Sequence, residues 1–204
     1  MKASKTYLLP ATILGLLGLT AWMPAQAGGY DEQQIRFPLT RQPLLNEGCL
    51  PKASGTVKVR SIGNAEIMDV RVAGLSPNTE YDLFIIQVPN PPFGMSWYQG
   101  DLQTKRNGVG HARFIGRFNK ETFIVAPGST VAPQVHDSDA DENPQTGPIH
   151  TYHVGIWFNS PEDAVKAGCQ GITTPFNGEH NAGIQVLNTA TFPDEEGPLL
   201  ELEP

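Results

Sequence analysis

From Gly55 onward, apolar and polar side chains alternate in short runs, the two-residue beat of strands that bury one face. In Gly55 to Arg60, Val57 and Val59 alternate with Lys58 and Arg60, and in Glu66 to Ala73, Val70 and Val72 alternate with Asp69 and Arg71. Gly63-Asn64 between these runs predicts a hairpin turn. Tyr81 to Val88 is apolar on both sides: Tyr81, Leu83 and Ile85 oppose Phe84, Ile86 and Val88, as a central, twice-covered strand requires. Gln99 to Thr104 and Val109 to Phe118 flank Lys105-Arg106-Asn107-Gly108, where Asn-Gly predicts a tight hairpin because both residues tolerate positive φ. On the second of these, Ala112, Phe114 and Phe118 share one face, while His111, Arg113 and Arg117 share the other. Glu121 to Ala126, His150 to Phe158 and Ala182 to Asn188 read as further strands. Within His150 to Phe158, Tyr152, Val154, Ile156 and Phe158 oppose Thr151, His153 and Trp157.

One helix interrupts this pattern. Ser160 is an N-cap, Pro161 suits the first helical position, Glu162 and Asp163 face the positive end of the dipole, and Gly168 stops the run. Before the first regular strand, Gly28 to Lys52 is polar and proline-rich, with a short strand at Ile35 to Leu39; it reads as an ordered arm. Pro127 to Pro148 is a long irregular segment rich in Pro, Gly, Ser and Asp, and connections of that length are functional or unstructured as a rule. Asp194 to Pro204 reads as a loosely ordered acidic tail.

Gly74, Leu75, Pro77, Thr79 and Tyr81 resemble the G-L-x-P-x-T-x-Y stretch that leads into a late strand of fibronectin type III domains, where a corner tyrosine anchors the turn. That resemblance covers about eight of the 204 residues and implies a β-sandwich architecture only. The exported chain as a whole resembles uncharacterised secreted bacterial proteins with PFG-x-SWYQGD and GRF-x-x-ETF segments, a likeness that implies no activity. The expected fold is therefore all-β: a two-sheet, immunoglobulin or fibronectin type III-like sandwich of about eight strands with one short helix and long loops. A jelly roll is the second architecture compatible with the pattern.

The N-terminus changes where this fold is expected to work. Lys2 and Lys5 precede an apolar run from Leu8 to Met23, followed by Ala25-Gln26-Ala27, the three parts of a secretory signal with its small-residue cleavage site. Residues 1–27 are read as that signal, 28–193 as one β-sandwich domain with its arm, and 194–204 as the tail. The protein is expected to be secreted or periplasmic, with no integral membrane segment after cleavage. Removing the leader lysines leaves 12 Lys and Arg against 21 Asp and Glu, a net charge of −9, so nucleic acid is excluded as a partner. The two cysteines, Cys49 and Cys169, lie in the exported part. An even count in an oxidising compartment predicts one disulfide.

Candidate chemistry is sparse. There is no G-x-S-x-G elbow, H-E-x-x-H, phosphate loop or dinucleotide fingerprint. His136-Asp137-Ser138-Asp139-Ala140-Asp141-Glu142-Asn143 places oxygens at alternate positions, as a calcium loop does. It departs from the EF-hand at Glu142, where glycine should make the turn, and at Pro148, where the bidentate glutamate should stand. Asp137, Asp139 and Asp141 are candidate calcium ligands, and His136 with His150, His153 and His180 candidate transition-metal ligands. The loop Pro89 to Tyr98 is the better recognition surface, because its prolines stiffen it and Phe93, Trp97 and Tyr98 offer flat apolar area with polar tips. The sequence thus points to a secreted, non-enzymatic binding or structural module for a protein or carbohydrate ligand. The competing class is a secreted metal-binding protein or metal-dependent enzyme.

Overall fold

The computed structural model describes residues 33–124, 149–171 and 176–203. The expected leader and the acidic run 136–143 lie outside these residues. Among the described residues, ten strands and one α-helix follow in chain order: β1 Gln34–Arg41, β2 Ser54–Ser61, β3 Glu66–Ala73, β4 Glu80–Ile86, β5 Ser96–Gln103, β6 Gly110–Gly116, β7 Phe123–Ile124, β8 Ile149–His150, β9 His153–Phe158, α1 Pro161–Lys166 and β10 Gln185–Asn188. Eight of them form one sheet in the order β5-β4-β9-β10-β1-β2-β3-β6, antiparallel throughout. The short strands β7 and β8 pair separately.

The chain is all-β, but its main sheet is continuous and curls nearly into a barrel, where the sequence pattern predicts two separate sheets. β1 is the reason. Its first six residues pair with β2, from Gln34 opposite Arg60 to Leu39 opposite Gly55, and its last two, Thr40 and Arg41, pair with β10. The segment expected to be an arm is therefore the strand that joins the two halves. Arg41 then fixes the chain leaving β1, donating to the carbonyls of Cys49 at 3.0 Å and Asn46 at 2.7 Å.

The other end of the sheet is nearly closed. Thr104 bridges Gly110, and a tight turn lies between them, with Gly108 N–H donating to Lys105 O at 2.9 Å. Only Gly108 takes positive φ there, at 71°, so this is not the Asn-Gly turn with two left-handed residues that the sequence predicts. Beyond that bridge the strands part: β5 pairs along β4 and β6 along β3.

Alternation along the strands supplies a shared core. Phe37, Val57, Val70 and Phe114 from one half meet Leu83, Leu102, Ile156 and Leu187 from the other in one buried cluster. β4 is covered on both sides as predicted, every residue from Tyr81 to Ile86 being at most 1% exposed. A smaller cluster of Phe84, Ile86, Phe93, Trp157 and Ala182 lies on its outer face. Ahead of β4, the Tyr81 hydroxyl accepts from Ser76 N–H at 2.9 Å, a contact that ties down the turn before the strand. Burial pushes the Tyr81 phenol up to about 12. Tyr81→Phe keeps the packing and orphans that amide, so a loss of about 1 kcal/mol is expected in urea unfolding; no loss would mean that the corner is held by packing alone.

The cap of α1 forms as the sequence indicates, with Ser160 Oγ accepting from Asp163 N–H at 3.2 Å. The acidic tail, by contrast, is docked. Pro198–Glu201 forms a 3-10 helix, and Leu199 and Leu202 are fully buried in the main core. Each such burial contributes roughly 1.5–3 kcal/mol, enough to hold down a segment that its charge alone would leave in solvent. Gly197 makes the crossing possible, because a Cβ there would lie 2.3 Å from Tyr152 O.

Candidate functional site

The most developed surface lies on the outer face of β4 and β9. The segment after β4 folds back over that face: Gln87 N–H donates to Met95 O at 2.8 Å, and Val88 N–H to Phe93 O at 3.1 Å. It includes a cis Pro91-Pro92 bond. The ring of Phe93 is thereby set edge-on to Trp157 at 5.0 Å, with Phe84 edge-on to the same indole at 5.1 Å and Tyr98 on Phe84 at 5.7 Å. Trp157 lies across Gly155, where a Cβ would come within 2.3 Å of the indole.

The three aromatic residues predicted as one surface are separated. Trp97 and Tyr98 are consecutive on a strand, so the pleat sends them to opposite faces. Trp97 pairs with Ile85 and packs partly buried against the main core. Tyr98 pairs with Phe84 on the outer face and is 38% exposed, while Phe93 is 7% exposed. The Tyr98 hydroxyl donates to Asp101, and burial and that carboxylate raise its pKa.

Beside Phe93 opens a cleft of about 160 Å³. Its apolar walls come from Leu44, Leu45, Pro91, Phe93 and Ile184, with Gln42 and Gln185 between them. Leu44 is 70% exposed, although it stands beside apolar surface. Two walls are fastened to each other: the Cys49–Cys169 disulfide joins the segment after β1 to the end of α1, as the sequence predicts. Asn46 adds to it by donating to Gly168 O at 3.2 Å and accepting from Gln170 N–H at 3.2 Å.

A chain of amides sets the floor. Leu44 N–H donates to Gln42 Oε1 at 3.1 Å, which directs Gln42 Nε2 to Gln185 Oε1. Asn188 accepts from Ala190 N–H at 3.1 Å, so its amide nitrogen points to Pro89 O at 2.9 Å and Gln185 Oε1 at 3.0 Å. With both neighbours donating, Gln185 must present its oxygen to them. Its Nε2 has no hydrogen-bond acceptor among the described residues and is held over Gly155.

Further along the same face sits Asp82, fully buried. Its Oδ2 accepts from Asn177 Nδ2 at 3.0 Å. Its Oδ1, like Nε1 of its cross-strand partner Trp157, has no hydrogen-bond partner among the described residues. Burial pushes this carboxyl up to about 6, against the pull of the Asn177 amide, and the nearby Asp101 and Glu80 charges add to the rise. The signal for Asp82 is an acid inside the otherwise apolar run Tyr81 to Ile86 of β4. Leu44, Gln42 and Gln185 give no such signal, because nothing local in the sequence relates residues 42 and 185.

The candidate metal ligands do not converge among the described residues. His153 is fully buried; its Nε2 faces the carbonyls of Pro193 at 3.1 Å and Asp194 at 3.0 Å, and its Nδ1 faces Thr189 Oγ1 at 2.8 Å. Two carbonyls can only accept, so Nε2 carries the proton, and burial lowers the pKa of the ring. His150 stacks on Tyr152 at 5.3 Å, and His180 lies on an exposed turn with Nδ1 facing Asn181 O at 3.1 Å. No group of three His, Cys, Asp or Glu among the described residues is placed to hold an ion. His136, Asp137, Asp139 and Asp141 lie outside those residues.

No family model matches the chain, and no curated protein matches it. The reading of function therefore rests on the site itself. No helix among the described residues is long and apolar enough to cross a membrane.

Proposed function

We propose that this chain is an extracytoplasmic, non-enzymatic binding module whose ligand places an apolar group, a side chain or the apolar face of a sugar ring, in the cleft between Leu44 and Phe93. The observation that carries the reading is Leu44, largely exposed on a wall otherwise built from buried Leu45, Phe93 and Ile184. An apolar cleft with a few oriented polar groups is the usual form of a small-ligand site, and here the glutamine amides supply them. The disulfide supports an oxidising compartment, in line with the leader read at residues 1–27. Architecturally we read the eight strands as a flattened barrel whose halves face each other like the layers of a sandwich, supported by the single apolar cluster that draws on both. The fibronectin type III likeness is kept to the corner at Tyr81.

Benzyl alcohol, observed by saturation-transfer NMR, tests the cleft, since a cavity of about 150 Å³ accepts a benzene ring. Saturable binding is expected for the native chain and its loss in Leu44→Asp. That substitution is at an exposed position and is expected to change stability by no more than about 0.5 kcal/mol. Binding that is absent in the native chain, or untouched by the aspartate, would remove the proposal.

A further inference from the structure

The outer face of the other half-sheet has a charge opposite to that of the protein. Register places Arg36, Lys58, Asp69 and Arg113 side by side across β1, β2, β3 and β6. The row on one side is Gln34, Arg60, Ile67 and Ile115, and on the other Pro38, Thr56, Arg71 and His111. Cross-strand partners share a face, so five Arg and Lys stand here with Asp69 as the one acid of these rows, in a chain of net charge −7. Asp69 is already engaged. Arg113 grips it through Nε at 2.8 Å and Nη2 at 3.1 Å, and His111 Nε2 lies 3.4 Å away.

What remains is a set of like charges held together. Arg36 and Lys58 are directly opposite, an arrangement that costs stability in a sheet, and Arg71 is diagonal to Lys58. None of these three forms an ion pair among the described residues. Four strands at about 4.8 Å spacing and three rows at about 6.8 Å spread the face over roughly 14 by 14 Å. At one end the surface becomes apolar: Ile115 is 64% exposed, and Ile62 at the turn after β2 is 43% exposed.

We propose that this face docks on an anionic lipid membrane, with Arg36, Lys58 and Arg71 meeting headgroup phosphates and Ile115 and Ile62 entering between them. Cations spread over two dimensions suit a charged plane, whereas a linear polyanion would call for a line or groove. The isoleucines have a place in a bilayer interface and none on a soluble polyanion. A second copy of the chain is the poorer match, because on the opposite half Asp82 is buried and Asp101 is taken by Tyr98. Docking through this face has one orientation. It leaves the cleft beside Phe93, on the opposite half, facing outward.

The test is flotation of the protein, expressed from its complete gene, with phosphatidylcholine vesicles and with vesicles enriched in phosphatidylglycerol. Binding is expected on the anionic vesicles only and is expected to vanish in 1 M salt, where the Debye length falls to about 3 Å. Lys58→Glu with Arg71→Glu is expected to weaken it at least tenfold. The neutral pair Lys58→Gln and Arg71→Gln weakens it less, and Ile115→Ser lowers binding without changing its salt dependence. Circular dichroism of each variant separates loss of binding from loss of fold, and the glutamine pair stands in if the glutamates fail to fold. Equal binding to neutral vesicles, indifference to charge reversal in a folded variant, or tighter binding to soluble polyphosphate with no effect of Ile115→Ser would each overturn the assignment.

Discussion

Reduction of the Cys49–Cys169 disulfide is expected to lower the stability of this protein by roughly 4–5 kcal/mol. The bond closes a loop of 120 residues, and in the chain-entropy account a longer loop restricts the unfolded chain more, giving that magnitude at this length. Domains of this size are stable by about 5–15 kcal/mol, so the bond supplies roughly a quarter or more of the total. Locally its loss unfastens the two cleft walls, leaving the Asn46 contacts to Gly168 and Gln170 between them. Urea unfolding with and without reductant, and of Cys49→Ala with Cys169→Ala, measures the change. A shift below about 1 kcal/mol would show that the denatured chain is already compact around these residues. Benzyl alcohol binding in the reduced protein is expected to fall before global unfolding begins.

Asp82→Asn is expected to stabilise the protein at pH 7 by about 2–3 kcal/mol, and to have no such effect near pH 4. The folded state raises this carboxyl from its ordinary 3.8 to about 6. The folded protein therefore binds the proton more tightly than the unfolded chain, and stability falls as pH rises between about 4 and 6. Above that window the ionised, buried Asp82 carries the full cost, about 1.4 kcal/mol for each pH unit separating the folded and unfolded values. Asparagine removes the charge and keeps an oxygen for Asn177. His153 acts in the opposite sense: burial lowers its pKa from 6.5, so its contribution is intact at neutral pH and is lost as pH falls below about 6.5. In the native chain the two trends offset one another on acidification. The Asp82→Asn variant should expose the histidine's share as a steeper loss of melting temperature between about pH 6.5 and 4. A flat difference between the two proteins across about pH 4 to 8 would rule out Asp82 as the titrating group.

Much of the strand pattern is legible because burial is periodic. Val57, Val59, Val70 and Val72 alternate with charged neighbours, and each is 2% exposed or less in the folded chain. The twice-covered β4, the α1 cap at Ser160 and the Cys49–Cys169 pairing follow from equally local signals or from simple counting. At Ile35 to Leu39 periodicity reveals a strand but not its central place, because it says which face is buried and is silent on which strands lie alongside. The tail misleads for a related reason: Asp194, Glu195 and Glu196 dominate its composition, while Leu199 and Leu202 determine where it goes. The aromatic loop shows the limit most directly. Nearness in sequence suggests one surface for its rings, yet the pleat of β5 sends Trp97 to the main core and Tyr98 to the outer face, where Phe93 is buried against Trp157.

The order of residues determined an all-β chain with one capped helix, its alternating faces, its disulfide and its two-sided central strand. These depend on spacings of two to four residues or on a pair of cysteines. Tertiary structure alone decided that the strands form one continuous sheet through β1, that Leu44 and Phe93 line a common cleft, that Asp82 is buried beside Trp157, and that Arg36, Lys58 and Arg71 share a face. Each of these joins residues tens of positions apart or more, or strands not adjacent in the chain. Such contacts form when loop-closure entropy is overcome by burial of the whole core at once, a collective condition that no short window of sequence contains.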